Sequence, residues 1–268
     1  MKKLFFLFLS FVAFSSVVLG QNDDVAVPND DEAVAEFPSF LTPDFKYIEK
    51  VISDPTSPYY YPVLMKRFNA ADTSMTINDL HCLYYGAALQ DDYNPYGRDE
   101  NEIVDKALDL LNKEAPSKKE LKKALKYLDK AIDMAPMNLD LYNYRHYVNY
   151  MLYGQDSRQE RADVFHFIGL LSAIAYSGDG QDMATAYYVI NPSHEYTLLR
   201  YWELHSLGQS LLQQDGQSYD LLELAENDKD VDELYFNITI CFSYLSKLFK
   251  NIGGDEDGDV EEEVETEE

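Results

Sequence analysis

The chain has 268 residues, 46% of them hydrophobic and 26% charged, with 22 tyrosines against one tryptophan and a net charge of −26. That length buries a core as one large domain or two small ones. Ten carboxylates fall in Asp255–Glu268 and six between Asp23 and Glu36; setting these aside with Lys2 and Lys3 leaves −12 on the body, which argues against nucleic acid and against an anionic membrane surface as partners.

Lys2-Lys3 precede an apolar run from Leu4 to Leu19, and Val18-Leu19-Gly20 offers a cleavage site before Gln21. This predicts a signal peptide over residues 1–20 and a secreted or periplasmic protein. Residues 21–41 are acidic and aperiodic and read as a disordered leader. No later stretch reaches the ~18 apolar residues of a membrane span. Thr42-Pro43-Asp44 opens a helix through Ile52, with Thr42 as cap and Pro43 in the first turn. A second helix runs from Tyr61-Pro62 to Asn69, burying Leu64 and Phe68. Thr76 caps a third, whose stripe is Leu80, Leu83, Tyr84 and Ala87. After the turn-rich Asp92 to Arg98, a helix from about Glu100 to Lys113 buries Ile103, Ala107, Leu110 and Leu111.

Residues 121 to 153 carry the clearest pattern. Ser117 and Glu120 form a capping box. Leu121, Ala124, Leu125, Leu128, Ala131, Ile132 and Ala135 make one apolar stripe with lysines opposite. Pro136 ends that helix, Asn138 caps the next, and Gly154 suits a left-handed C-terminal cap. This hairpin resembles the join between tetratricopeptide repeats through Ala124, Leu128, Ala131, Pro136 and Asn138, with His146 and Asn149 where a small residue and an aromatic are usual. Asp156 with Gln159 opens a long helix to Tyr176. The periodicity changes at Ser177-Gly178-Asp179-Gly180. Ala184 to Ile190 reads as a buried strand, and Ser193 caps a short helix. Strands flank Asp215-Gly216 as a hairpin, a short strand covers Leu234 to Phe236, and Asn237 caps a last helix. The fold class is mainly α with a small C-terminal α+β part: tetratricopeptide-like hairpins over 42–176, then a mostly antiparallel sheet with helices over 177–252. Residues 253–268 form an acidic tail expected to be disordered.

With those landmarks placed, the chain resembles a family of secreted bacterial proteins defined by domain of unknown function 4919, from about Pro43 to Lys250. The carriers, in order, include Ser57-Pro58, Tyr61-Pro62, Arg67-Phe68, Asp72-Thr73, Leu83-Tyr84-Tyr85-Gly86, Ser177-Gly178-Asp179-Gly180, His194-Glu195-Tyr196, Gly208-Gln209-Ser210-Leu211 and Leu234-Tyr235-Phe236. His81-Cys82 stands where the family pattern has Arg-His. The resemblance implies relatives, and no activity.

Several residues bear on chemistry. His194 and Glu195 near a helix start, with Asp179, are the candidate catalytic set of a hydrolase at the junction of helices and sheet; Leu198 denies His194 the second histidine of a zinc protease. The bland reading gives Glu195 to the helix dipole and His194 to a loop carbonyl. The glycines of the 177–180 turn suit either an anion loop or a domain junction. Cys82 and Cys241 either pair as a disulfide or pack as small apolar groups. Asp255, Asp257 and Asp259 lack the glycine and glutamate of a calcium loop, so no metal and no cofactor is implied. Tyr60, Tyr61, Arg67, Tyr84 and Tyr85 are the candidate binding face, able to grip a peptide or a sugar if exposed, and a core if not. The leading expectation is a non-catalytic module that binds a protein or peptide in the cell envelope or outside the cell. The alternatives are the hydrolase and a glycan-binding protein.

Overall fold

The computed structural model describes residues 40–97 and 100–245. The expected signal peptide, most of the leader and the acidic tail lie outside the described residues. Helix α1 (Phe45–Ser53) is capped by Asp44, whose carboxylate accepts from the Lys46 and Tyr47 amides. The expected cap, Thr42, is too far upstream, because Pro43 precedes the helix instead of entering it. Helix α2 (Tyr61–Asn69) carries Pro62 in its first turn, where a missing N–H is harmless, and buries Leu64 and Phe68. Helix α3 (Ile77–Ala87) opens with a complete Thr76–Asp79 capping box. It is buried from Asp79 through Gly86, so it is a central helix surrounded by packing, not one with a single apolar stripe.

Helices α4 (Asn101–Leu111), α5 (Lys118–Met134), α6 (Leu139–Tyr153) and α7 (Arg158–Ala175) pack in sequence, each on the next, and α7 returns to lie on α3. The Ser117–Glu120 box starts α5 and Asn138 caps α6, both as expected. Gly154 ends α6 at φ 86° and ψ 172°, a positive-φ residue that turns extended instead of left-handed helical. Ser157, not Asp156, caps α7 through the Glu160 amide; Asp156 sits at φ 60° in the turn before it. His146 and Asn149 have a structural role. His146 lies 3.5 Å from Glu160 of α7, Asn149 donates to Asp163 at 2.7 Å, and Arg145 reaches the same Asp163 at 2.7 Å. A polar seam thus replaces the small-residue and aromatic contact of a repeat.

The remainder is strand β1 (Tyr187–Tyr188), helix α8 (Ser193–Tyr201), strands β2 (Ser206–Gln214), β3 (Gln217–Leu224) and β4 (Glu233–Asn237), and a helical segment from 239. The sheet order is β1-β4-β3-β2, with β1 parallel to β4 and the other pairs antiparallel. The molecule is therefore mainly α with a small mixed sheet. Only two residues of the expected strand 184–190 join the ladder, because Asp182 captures the Ala184 and Thr185 amides in a turn. Pro192, not Ser193, stands at the start of α8, with no side-chain cap.

One hydrophobic core runs through both halves, from Ile48, Phe68 and Leu83 to Leu198, Leu222 and Phe236. A smaller one, around Ala107, Leu121, Ala124, Leu128 and Val148, holds α4, α5 and α6 together.

Candidate functional site

Tyrosines from the helical half cross the seam to the segment 188–194. Tyr85 donates to the Tyr188 carbonyl at 3.0 Å and Tyr93 to the Ile190 carbonyl at 2.8 Å. The Tyr84 hydroxyl accepts from the Ile190 amide at 3.3 Å and lies 2.7 Å from His194 Nδ1. The Tyr84 hydroxyl and His194 Nδ1 share one hydrogen bond, in which the imidazole tautomer sets which of them donates. His194 Nε2 is buried without a partner. Burial holds the imidazole down at about 3, so His194 is neutral.

Glu195 is fully buried, and neither of its oxygens receives a hydrogen bond from a donor group. Its neighbour is the Asp220 carboxylate of β3. Two neighbouring carboxylates repel when both are ionised, which favours the protonated form of the more buried one. Burial, then the Asp220 charge, pushes Glu195 up to about 9; burial also raises Asp220, which leans on Gln209. Gln209 in turn accepts from the Tyr196 hydroxyl at 2.6 Å. Cys241, at 3.5 Å from the Val189 carbonyl, is a thiol pushed up to about 12 by burial. A neutral histidine, a protonated glutamate and a protonated thiol, all sealed in packing, form a polar rivet between α3, α8 and the sheet. They do not form an activated nucleophile.

The candidate catalytic residues are not linked by direct hydrogen bonds. Asp179 accepts from Thr185 Oγ1 at 2.5 Å and from the Gln181 amide at 3.0 Å, and no hydrogen bond or ion pair joins it to His194 or Glu195. The anion-loop reading also fails, because the Asp179 and Gly180 amides both donate to the Thr185 carbonyl. Gly178 is required for close approach: a Cβ there would lie 2.1 Å from that same carbonyl oxygen. The expected aromatic face needs correction too. Tyr84 and Tyr85 are fully buried, Tyr60 and Tyr61 are half-buried, and Arg67 is held by Asp72 at 2.8 Å and Asp79 at 3.2 Å. Tyr84 and Tyr85 are core because their hydroxyls find backbone partners inside. Cys82 and Cys241 are both free and buried, with no disulfide between them. Among the described residues no cluster of three His, Cys, Asp or Glu side chains can hold a metal.

What the sequence reading passed over is the outer edge of the sheet. The Asp215-Gly216 hairpin is present, with φ 51° and 76°, the two positive values of a type I′ turn. In such a two-residue turn Gln214 and Gln217 form the closing hydrogen-bonded pair, and pairs alternate from there. Gln213, Leu211 and Gln209 therefore turn their N–H and C=O groups away from β3, to the open side. Leu211 stands opposite Asp220 and Gln209 opposite Leu222, so both share the sheet face that packs on α8. That face is buried on β3 but uncovered on β2, where Leu211 is 51% exposed and Leu207, at the bulge, 73%. From Ser206 to Gln214 there is no charge and no proline, the two usual devices that keep an edge strand unpaired. That nine-residue gap in the charge pattern was the available signal.

No curated protein and no solved structure matches the chain. A family model described as Domain of unknown function (DUF4919) matches residues 46–246, well over half of the chain and almost all of the described fold. The chain belongs to the DUF4919 family.

Proposed function

We propose that this is a non-catalytic interaction protein that binds an extended segment of another protein by adding it as a strand to β2. The supporting observation is the uncovered edge: a nine-residue, uncharged outer strand whose inner face ends in exposed Leu211. Outward amides and carbonyls supply main-chain hydrogen bonds, and the uncovered apolar face selects side chains at alternate positions of the ligand. Tyr196, 36% exposed and tied to Gln209, forms the rim of that face.

The test is titration of fluorescent peptides of about nine residues, the length of β2, with alternating Val or Ile, monitored by anisotropy. Wild type binds them, and shuffled charged peptides fail. Leu211→Pro removes an outward N–H without touching the β3 ladder and lowers affinity at least about tenfold, roughly 1.4 kcal/mol. Equal binding by a folded Leu211→Pro protein contradicts the reading.

A further inference from the structure

The most unusual charge on this molecule is positive. Lys118, Lys119, Lys122, Lys123, Lys126 and Lys130 all stand on the exposed side of α5, opposite its buried Leu121, Ala124 and Leu128. Lys118, Lys122, Lys126 and Lys130 follow one another at four-residue spacing, so like charges stack along a single line. Among the described residues no carboxylate pairs with any of the six. The ion pairs of this region go elsewhere: Glu120 to Lys113, and Asp129 to Arg145. Lys123 lies over the Tyr127 ring at 5.6 Å. Each stacked like-charge pair destabilises the helix. A chain of net charge −26 thus keeps a basic face of about 18 Å on one helix and leaves it unneutralised by the folded body.

We propose that the lysine face of α5 is the docking surface for the acidic run Asp255–Glu268 of the same chain. Complementarity is direct, since the run carries ten carboxylates and no base. Reach is sufficient. The 23 residues after 245 span up to about 80 Å, and a body of about 200 residues has a radius of gyration near 17 Å, so every face is accessible. Tethering decides between this occupant and a free polyanion. The body's −12 repels a free polyanion at long range, whereas a linked segment acts at an effective concentration of about millimolar. The contact is between exposed charges and weakens with salt, the Debye length falling from ~10 Å at 0.1 M to ~3 Å at 1 M.

The experiment is zero-length carbodiimide cross-linking of the full chain, with the monomer isolated and its linked peptides identified by mass spectrometry. Links between the α5 lysines and glutamates of 261–268 are expected, independent of protein concentration and lost at about 1 M salt. In parallel, acylation of the α5 lysines rises several-fold in a chain stopped after Gly254, while Lys46 and Lys229 react unchanged. Links to Asp23–Glu36, links confined to dimers, or unchanged lysine reactivity on removing the tail each overturn the proposal.

Discussion

Glu195 shows how little a residue type says before its surroundings are known. The sequence places a carboxylate in the first turn of a helix, where the dipole favours its charge. The structure sets it against Asp220 and away from water, and the neutral form wins because desolvation outweighs a dipole worth about 0.3–1 kcal/mol. The unfolded chain ionises Glu195 near 4.5, whereas the fold holds its proton to about 9. Between those values the folded state binds one more proton than the unfolded state, so stability falls as pH rises through that window. Glu195→Gln keeps a donor to Asp220 and removes the titration. It raises stability at pH 7.5 by roughly 2 to 4 kcal/mol and leaves it nearly unchanged at pH 4, as read by urea unfolding at both values. His194, depressed to about 3, acts on the other side: it adds stability above about pH 6.5 that is lost as pH falls toward 3.

At the scale of elements, local signals were legible where the chemistry is local. The capping boxes of α3 and α5 and the Asn138 cap of α6 stand where the residues put them, because a cap needs only its own first turn. Ser117→Ala should cost about 1 kcal/mol in urea unfolding, with the slope unchanged. The starts of α1 and α7 were displaced by one or two residues where two candidate caps compete, and α8 starts after Pro192 with no side-chain cap. Burial was less legible. Tyr84 and Tyr85 can be read as a binding face or as core, and the hydroxyl partners that make them core lie about a hundred residues away in sequence. The strand expected over 184–190 shrank to two residues because an Asp182 turn took its amides. The Asp215-Gly216 hairpin was readable, but its edge position was not, since strand order depends on β4 returning between β1 and β3.

For the whole molecule, helices and sheet share one core, joined by three tyrosine hydroxyls and the Glu195–Asp220 pair. His194 and Glu195, which looked catalytic, lie at that joint, and the uncharged edge of β2 is the surface we propose for a partner. Strand addition at β2 is tested by residue-resolved amide hydrogen exchange on the full chain, with and without a bound extended peptide. With peptide bound, the outward amides of Gln209, Leu211 and Gln213 slow strongly while those facing β3 change little. Protection confined to helices, with those three amides exchanging as in the free protein, would contradict it.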